Sequence, residues 1–91
     1  MVSVNVRHTV ADYGKWRPVF DEDDARRRVG GQLGLPQVYR DVDNPNIITI
    51  MLEWDTAENA NKFVHDPALG AVMETAGVIG MPAVVAVISR A

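Results

Sequence analysis

Hydrophobic and polar residues alternate along the first segment of the chain. Val2, Val4 and Val6 are separated by polar residues, and His8 continues the valine series. Successive side chains of a β-strand point to opposite faces of the sheet. The pattern therefore predicts a strand with one apolar face, and it places His8 at the end of that face.

A helical pattern follows this strand. Three aromatic residues fall at helical spacing and predict one apolar stripe: Tyr13, Trp16 and Phe20. Asp12 is suited to cap this helix, because its carboxylate can accept hydrogen bonds from the free amides of the first turn. Pro18 would kink a helix interior. We therefore expect a short turn and then the main helix, which ends at Gly30–Gly31.

Acidic residues 21–24 precede a run of arginines in this helix. Pairs in the favourable acid-first order at i, i+4 are Glu22–Arg26, Asp23–Arg27 and Asp24–Arg28. We expect the acidic residues 21–24 to form a solvated helix face, and a cation site is the weaker alternative.

The rest of the chain contains three further strands and a second helical region. The predicted elements are strand 35–42, a turn at 43–46, strand 47–54, a helix over 57–64, a helical segment over 67–76 and strand 82–89. Asp55 or Thr56 is expected to cap the first of these helices.

The order of the elements is therefore βαββαβ, in a single domain spanning residues 1–91. Because strand crossovers are right-handed, both helical regions should lie on one face of a four-stranded antiparallel sheet. This arrangement is an α+β, ferredoxin-like fold.

Both faces of the predicted sheet are largely apolar. In the third strand, Ile48, Ile50, Leu52 and Trp54 alternate with Ile47, Thr49 and Met51. In the last strand, Val84, Ala86 and Ile88 alternate with Ala83, Val85 and Val87. Helices cover only one face, and an apolar second face of this size is unusual in a monomer. We therefore expect a homodimer in which a second copy of the sheet covers that face and closes a barrel.

The composition limits the classes to which the protein can belong. It is 47% hydrophobic and 23% charged, as in ordinary globular domains. A net charge of −3 without a basic stripe argues against a nucleic-acid partner. With no cysteine, disulfides and thiolate chemistry are excluded. A stretch of about 18 apolar residues and a signal-peptide pattern are both lacking, so no membrane partner is expected and the cytoplasm is the default compartment.

These features resemble the dimeric α/β-barrel superfamily, in particular the small antibiotic-biosynthesis-monooxygenase-like proteins. At the level of element order, the resemblance covers the whole chain. The local marks are Glu53-Trp54, then Asp55-Thr56-Ala57-Glu58-Asn59-Ala60, and after these Phe63, His65, Pro67 and the apolar residues Leu69, Val72 and Met73. The resemblance implies a pocket between sheet and helices. It also implies an activity among cofactor-independent oxygenation of aromatic polyketides, haem degradation and polyketide cyclisation, or no known activity.

The haem-degrading branch can be compared residue by residue. Asn5 matches a polar asparagine on the first strand of its members. However, Phe63 and Met73 occupy the places of their tryptophan and haem-ligating histidine. The haem-ligating histidine is missing, so we expect neither haem nor another cofactor.

A cofactor-independent oxygenase needs a base to deprotonate a phenol and a donor to stabilise the resulting anion. An imidazole titrates near neutral pH, so His8 is the candidate catalytic base. The candidate donors are Tyr39, Arg7 and Arg40. A structural role is the alternative for His8, and it is the expected role for His65 at a helix end. The two histidines lack metal-ligand spacing, and no metal is expected.

Six aromatic residues are candidate walls of a pocket for a flat apolar ligand: Tyr13, Trp16, Phe20, Tyr39, Trp54 and Phe63. They are equally suited to an ordinary core. Two functions therefore stay open, an enzyme acting on an aromatic or polyketide-like molecule and a non-catalytic dimeric binding or stress-related module. A cavity of a few hundred Å³ with a polar group inside would favour the enzyme. A helix–sheet interface filled by Trp16, Phe20 and Trp54 would favour the module.

Overall fold

The computed structural model describes residues 2–89, and within this range the side chains of residues 80–84 lie outside the description. The elements are β1 (Val2–Val10), α1 (Tyr13–Glu22), α2 (Asp24–Gly30), β2 (Gln32–Arg40), β3 (Ile47–Trp54), α3 (Ala57–Val64), α4 (Pro67–Thr75) and β4 (Val78–Ser89). The strands form one antiparallel sheet in the order β2-β3-β1-β4. The predicted α+β, ferredoxin-like fold is confirmed, and each helical region consists of two short helices.

β1 lies inside the sheet and fixes which side chains face the helices. Its cross-strand pairs are Val4 with Leu52 and Val87, and Val6 with Ile50 and Val85. These side chains pack with the buried aromatic residues of the helices in one core. The predicted face of Ile48, Ile50, Leu52 and Trp54 is therefore the helix-covered face. Val85 and Val87 belong to the same face, whereas the predicted positions Ala83 and Val84 have side chains outside the described residues.

Three strands are longer than, or displaced from, their predicted ranges. β1 continues to Val10, β2 covers Gln32–Arg40 rather than 35–42, and β4 begins at Val78 rather than 82. The register shifts between Leu33 and Gln37 in β2, where Gly34 has a φ of 65°. The shift inserts two residues into β2 relative to β3, so Gln32 and Val38, which pair with Trp54 and Ile50, both lie on the helix-covered face.

The expected interruption at Pro18 is wrong. Pro18 lies inside α1, and the helix ends at Asp23 instead. Proline removes a hydrogen bond to the carbonyl four residues earlier, here that of Gly14. Both Gly14 and Pro18 are exposed, so water can bind this carbonyl. The loss is therefore smaller than it would be in a buried helix.

Side-chain caps begin three of the helices. Asp12 accepts a hydrogen bond from the Gly14 amide at 2.8 Å, which confirms the predicted cap. Of the two candidate caps of α3, Thr56 accepts from the Asn59 amide at 3.1 Å. Asp66 caps α4. None of the helices within residues 2–89 is long and apolar enough to cross a membrane.

The break at Asp23 rearranges the predicted ion pairs. Asp24 and Arg28 form the expected pair at 2.7 Å, whereas Arg26 binds Asp23 at 2.8 Å instead of Glu22. In the acidic run that was predicted to form a solvated face, Asp21 and Glu22 are exposed, whereas Asp23 and Asp24 are partly buried. Arg27, the expected partner of Asp23, is only 3% exposed. Arg27 therefore lies against the core rather than in solvent.

Candidate functional site

A small cavity lies between the helix-covered face of the sheet and the helical layer, with walls from β1, β3 and all four helices. Its volume is about 40 Å³. The walls are apolar apart from His8, Asp23 and Arg27. Such a cavity holds a few water molecules, whereas pockets for drug-sized ligands measure about 300–1,000 Å³. At this volume the cavity is too small for an aromatic ligand.

A larger groove lies next to the cavity, between α4 and β4. Its volume is about 570 Å³, and its walls include His65, Val78 and Val85. Leu69 and Met73 line both the groove and the cavity. These two side chains of α4 therefore form the partition between the two spaces.

His8 reaches the cavity because it is the fourth member of the alternating series on β1. It is 7% exposed and meets the Trp16 ring edge-on, with centroids 5.8 Å apart. Neither ring nitrogen has a hydrogen-bond partner among the described residues. Burial lowers the pKa of His8 below its ordinary value of 6.5. The ring is therefore neutral at neutral pH, and both nitrogens are available to a ligand.

Stacked rings connect His8 to a buried cation. Trp16 and Phe20 stack with centroids 4.9 Å apart and an interplanar angle of 16°. The guanidinium carbon of Arg27 lies 4.0 Å from the centroid of the Phe20 ring. His8, Trp16, Phe20 and Arg27 therefore form one row along the cavity, with two aromatic rings between two polar groups. We call these four residues the polar–aromatic row.

Arg27 was not predicted as a site residue. Its Nε donates to Gln32 Oε1 at 2.7 Å, and its Nη1 donates to the Phe20 carbonyl at 2.9 Å. Its Nη2 is buried without a hydrogen-bond partner among the described residues. One sequence signal was present, because Arg27 follows Phe20 by two helical turns and so continues the aromatic stripe of α1.

The six predicted aromatic wall residues divide into two groups. Trp16, Phe20 and Phe63 line the cavity. Trp54 is fully buried in the core, where its Nε1 donates to the Gly30 carbonyl at 3.0 Å. Its ring and that of Phe63 have centroids 4.5 Å apart. Trp54 therefore supports a wall residue and joins the end of α2 to β3.

The other two aromatic residues lie away from the cavity walls. Tyr13 is half-buried beside Trp16, and its ring lies 4.1 Å from the guanidinium carbon of Arg40. Tyr39 is 53% exposed and pairs with Thr49, on the sheet face opposite the helices. The sheet separates Tyr39 from the cavity, so its expected place in the pocket wall is corrected.

None of the candidate donors lies in the cavity wall. Arg7 is exposed and pairs with Thr49 on the open sheet face, as Tyr39 does. Arg40 is occupied by the Pro45 carbonyl, to which its Nε donates at 2.9 Å. Arg27 is the cationic donor that the fold brings to the cavity instead.

The structure also shows where the residues that match positions of the haem-degrading proteins lie. Phe63 and Met73 line the cavity, whereas Asn5 pairs with Met51 and Ala86 on the open sheet face. His65 is exposed at the C-terminal cap of α3, with its Nδ1 2.8 Å from the Asn61 carbonyl oxygen. Across the part of the chain that the structure describes, no group of three potential metal ligands comes together.

Comparison with known proteins gives similarity at the level of structure only. No protein-family model matches the sequence, and no curated protein is significantly similar to it. SnoaB, a cofactor-independent oxygenase from Streptomyces nogalater, is 15% identical with a TM-score of 0.75, over 99% of this chain and 92% of that chain. An antibiotic biosynthesis monooxygenase is 12% identical with a TM-score of 0.71, over 100% of this chain and 99% of that one. Rv0793 from Mycobacterium tuberculosis is 15% identical with a TM-score of 0.71, over 99% and 94%.

Proposed function

We propose that this chain, which has the fold of the antibiotic-biosynthesis-monooxygenase-like proteins, binds a flat aromatic small molecule between its sheet and its helices. As a cofactor-independent enzyme of the monooxygenase or cyclase type, it uses His8 as a general base. The observation that carries the proposal is the buried imidazole of His8, which has no hydrogen-bond partner for either nitrogen among the described residues. Such an unpaired group is unfavourable unless a ligand completes its hydrogen bonds.

The chemistry begins with a proton transfer. A phenolic substrate beside His8 donates its hydroxyl proton to a ring nitrogen, which gives an imidazolium and a phenolate. In the monooxygenase version, the electron-rich anion is the reductant and dioxygen is the oxidant. One oxygen atom enters the substrate at a ring methylene, and the other leaves as water with the two methylene hydrogens. In the cyclase version, the same base removes the proton from an acidic carbon.

Binding requires the cavity to become larger. Because Leu69 and Met73 separate the cavity from the groove beside α4, displacement of these side chains would join the two spaces. α4 has no fully buried residue, and so it is weakly held against the core. Methionine is flexible, with three rotatable side-chain bonds. We therefore assign the entry route to the groove, with Met73 as its movable wall.

Replacement of Met73 by tryptophan is expected to weaken the binding of 2-naphthol about tenfold or more, because the larger side chain blocks the entry. Isothermal titration calorimetry measures the change. Ala71→Trp is the matched control, since Ala71 is exposed on the same helix and lines neither the cavity nor the groove. Equal affinities of the Met73 variant and the wild type would place the entry elsewhere.

The active form that we propose is a homodimer. Four large apolar side chains are exposed on the sheet face opposite the helices: Leu33, Tyr39, Ile79 and Ile88. The same face carries Arg7 and Glu53, one charge of each sign. These two charges cancel within each copy, so they do not make two copies repel each other. A second copy is the simplest partner for such a face.

Sedimentation equilibrium at low micromolar concentration is expected to give a dimer of the 10.0 kDa chain. Ile88→Asp should shift the equilibrium to a folded monomer, because it places a charge in the apolar contact. Val29→Asp is the control, since Val29 is 91% exposed on α2, on the other side of the molecule. A compact wild-type monomer would contradict the dimer.

One observation favours the second candidate function, a non-catalytic dimeric binding module. The cavity measures only about 40 Å³, and Trp16 and Trp54 are both buried between the helices and the sheet. Calorimetry and oxygen consumption with a panel of polycyclic phenols that carry a ring methylene distinguish the two functions. Binding with turnover supports the enzyme, whereas binding without turnover supports the module. If no member of the panel binds, both functions are excluded.

A further inference from the structure

The polar–aromatic row has a polar group at each of its two ends. Trp16 meets His8 edge-on at one end, and Phe20 lies under the guanidinium of Arg27 at the other. The rings between them stack on each other at 4.9 Å. A base for a hydroxyl proton and a cation for an oxyanion therefore lie at the two ends of a stack of two aromatic rings.

Arg27 is held so that one donor remains unused. Gln32 accepts from its Nε at 2.7 Å, and the Phe20 carbonyl accepts from its Nη1 at 2.9 Å. Because the guanidinium is planar, these two bonds also fix the direction of Nη2. Nη2 is buried without an acceptor among the described residues, although Arg27 lines the cavity. Gln32 thus acts as a positioning residue for this donor.

The neighbouring carboxylates leave this donor without a hydrogen bond. Asp23 lies 3.7 Å from Nη1, and Asp24 lies 3.6 Å from Nη2. Both aspartates are at ion-pair distance from Arg27, but neither accepts a hydrogen bond from it. Asp23 is bound instead by Arg26 at 2.8 and 2.9 Å, and Asp24 by Arg28 at 2.7 Å. The charge of each aspartate is therefore compensated mainly by another arginine.

We propose that Arg27 Nη2 binds an acidic oxygen of the ligand, and that the ligand is an elongated, fused-ring aromatic with a hydroxyl at one end and a carboxylate or second oxyanion at the other. The inference rests on the proposed function, because it places the ligand in the same cavity. The hydroxyl lies at His8, the rings pack against Trp16 and Phe20, and the oxyanion meets Arg27. A buried charge-assisted hydrogen bond of this kind selects strongly against ligands that lack the oxyanion.

Two probes separate the contribution of the oxyanion from that of the rings. 6-Hydroxy-2-naphthoate carries a hydroxyl and a carboxylate at opposite ends of two fused rings, and 2-naphthol lacks the carboxylate. The wild type is expected to bind 6-hydroxy-2-naphthoate about tenfold or more tightly than 2-naphthol, as measured by calorimetry. Arg27→Met should abolish this preference, so that the two probes bind with about equal affinity. Arg27→Lys, which keeps the charge without the planar fork, should retain part of it.

A merely structural role of Arg27 gives a different result. Thermal stability would then fall in both variants, but the ratio of the two affinities would stay that of the wild type. If Arg27→Met does not fold, the comparison of wild type with Arg27→Lys decides. A wild type that binds 2-naphthol in a His8-dependent manner but shows no preference for the carboxylate overturns only the present inference. Failure of both probes to bind the wild type overturns the proposed function and the inference together.

Discussion

Replacement of His8 by alanine is expected to lower turnover about 100-fold or more, the usual contribution of a positioned general base. The reason is that His8 is the only titratable base among the residues of the cavity wall apart from Asp23, which is bound by Arg26. The oligomeric state should not change, because His8 faces the helices rather than the open sheet face. Oxygen consumption with the panel of polycyclic phenols and sedimentation equilibrium measure the two effects.

Two further variants separate catalysis from packing at His8. His8→Phe keeps an aromatic ring against Trp16 but removes the base, so it should be inactive and nearly as stable as the wild type. His65→Ala removes the other histidine, which is exposed, and should be fully active. If His8→Ala is less stable yet fully active, His8 is a structural residue and the proposed mechanism is wrong.

The same histidine gives an expected pH dependence. Since burial lowers the pKa of His8 below 6.5, the neutral base persists in the folded protein to more acidic pH than in a free imidazole. Turnover should therefore be constant through neutral pH and fall only below 6.5. Stability should also fall below pH 6.5, because the unfolded chain then binds a proton that the folded chain does not. The His8→Phe variant should not show the part of this stability loss that arises from His8.

Replacement of Gly31 by alanine is expected to destabilise the protein by about 3 kcal/mol or more, through backbone strain and steric overlap together. Gly31 has a φ of 126°, which side-chain-bearing residues rarely adopt. An added Cβ would also overlap Asp55 Oδ1 and approach Trp54 Nε1 to 2.7 Å. For a chain of this size, the expected fall in melting temperature is about 10 °C or more.

Gly70→Ala is the matched control for Gly31→Ala. Gly70 lies in α4, and an added Cβ there meets nothing within 4 Å. Alanine should stabilise this helix by about 0.5–1 kcal/mol. Thermal unfolding followed by circular dichroism measures both variants. Unchanged stability of Gly31→Ala would contradict the conformation of the turn that joins α2 to β2.

The sequence alone predicted which residues of a strand share one face of the sheet. Alternation on β1 is a local property with a period of two, so it assigned His8 to the valine face without knowledge of any other element. The capping role of Asp12 was predictable for the same reason, since the carboxylate acts on an amide only two residues away.

Local patterns failed where the chain departs from regular geometry. Because the register is irregular at Gly34, the sequence predicted a start of β2 at residue 35 rather than at Gln32. Pro18 predicted a helix break, which lies at Asp23 instead. In the second case the proline is tolerated because Pro18 is exposed, a property that depends on the packing of α1.

By itself, the sequence determined the order of the elements, the two faces of the sheet and the place of His8 on one of them. Only the tertiary structure decided that Tyr39 lies across the sheet from the cavity and that Arg27 lines it. The burial of Arg27 depends on the Phe20 carbonyl and on Gln32, which the break at Asp23 and the turn after α2 bring to the same guanidinium. Hydrophobic periodicity reports the direction of a side chain from its own element. Which other elements meet that side chain is decided by the packing of the whole chain.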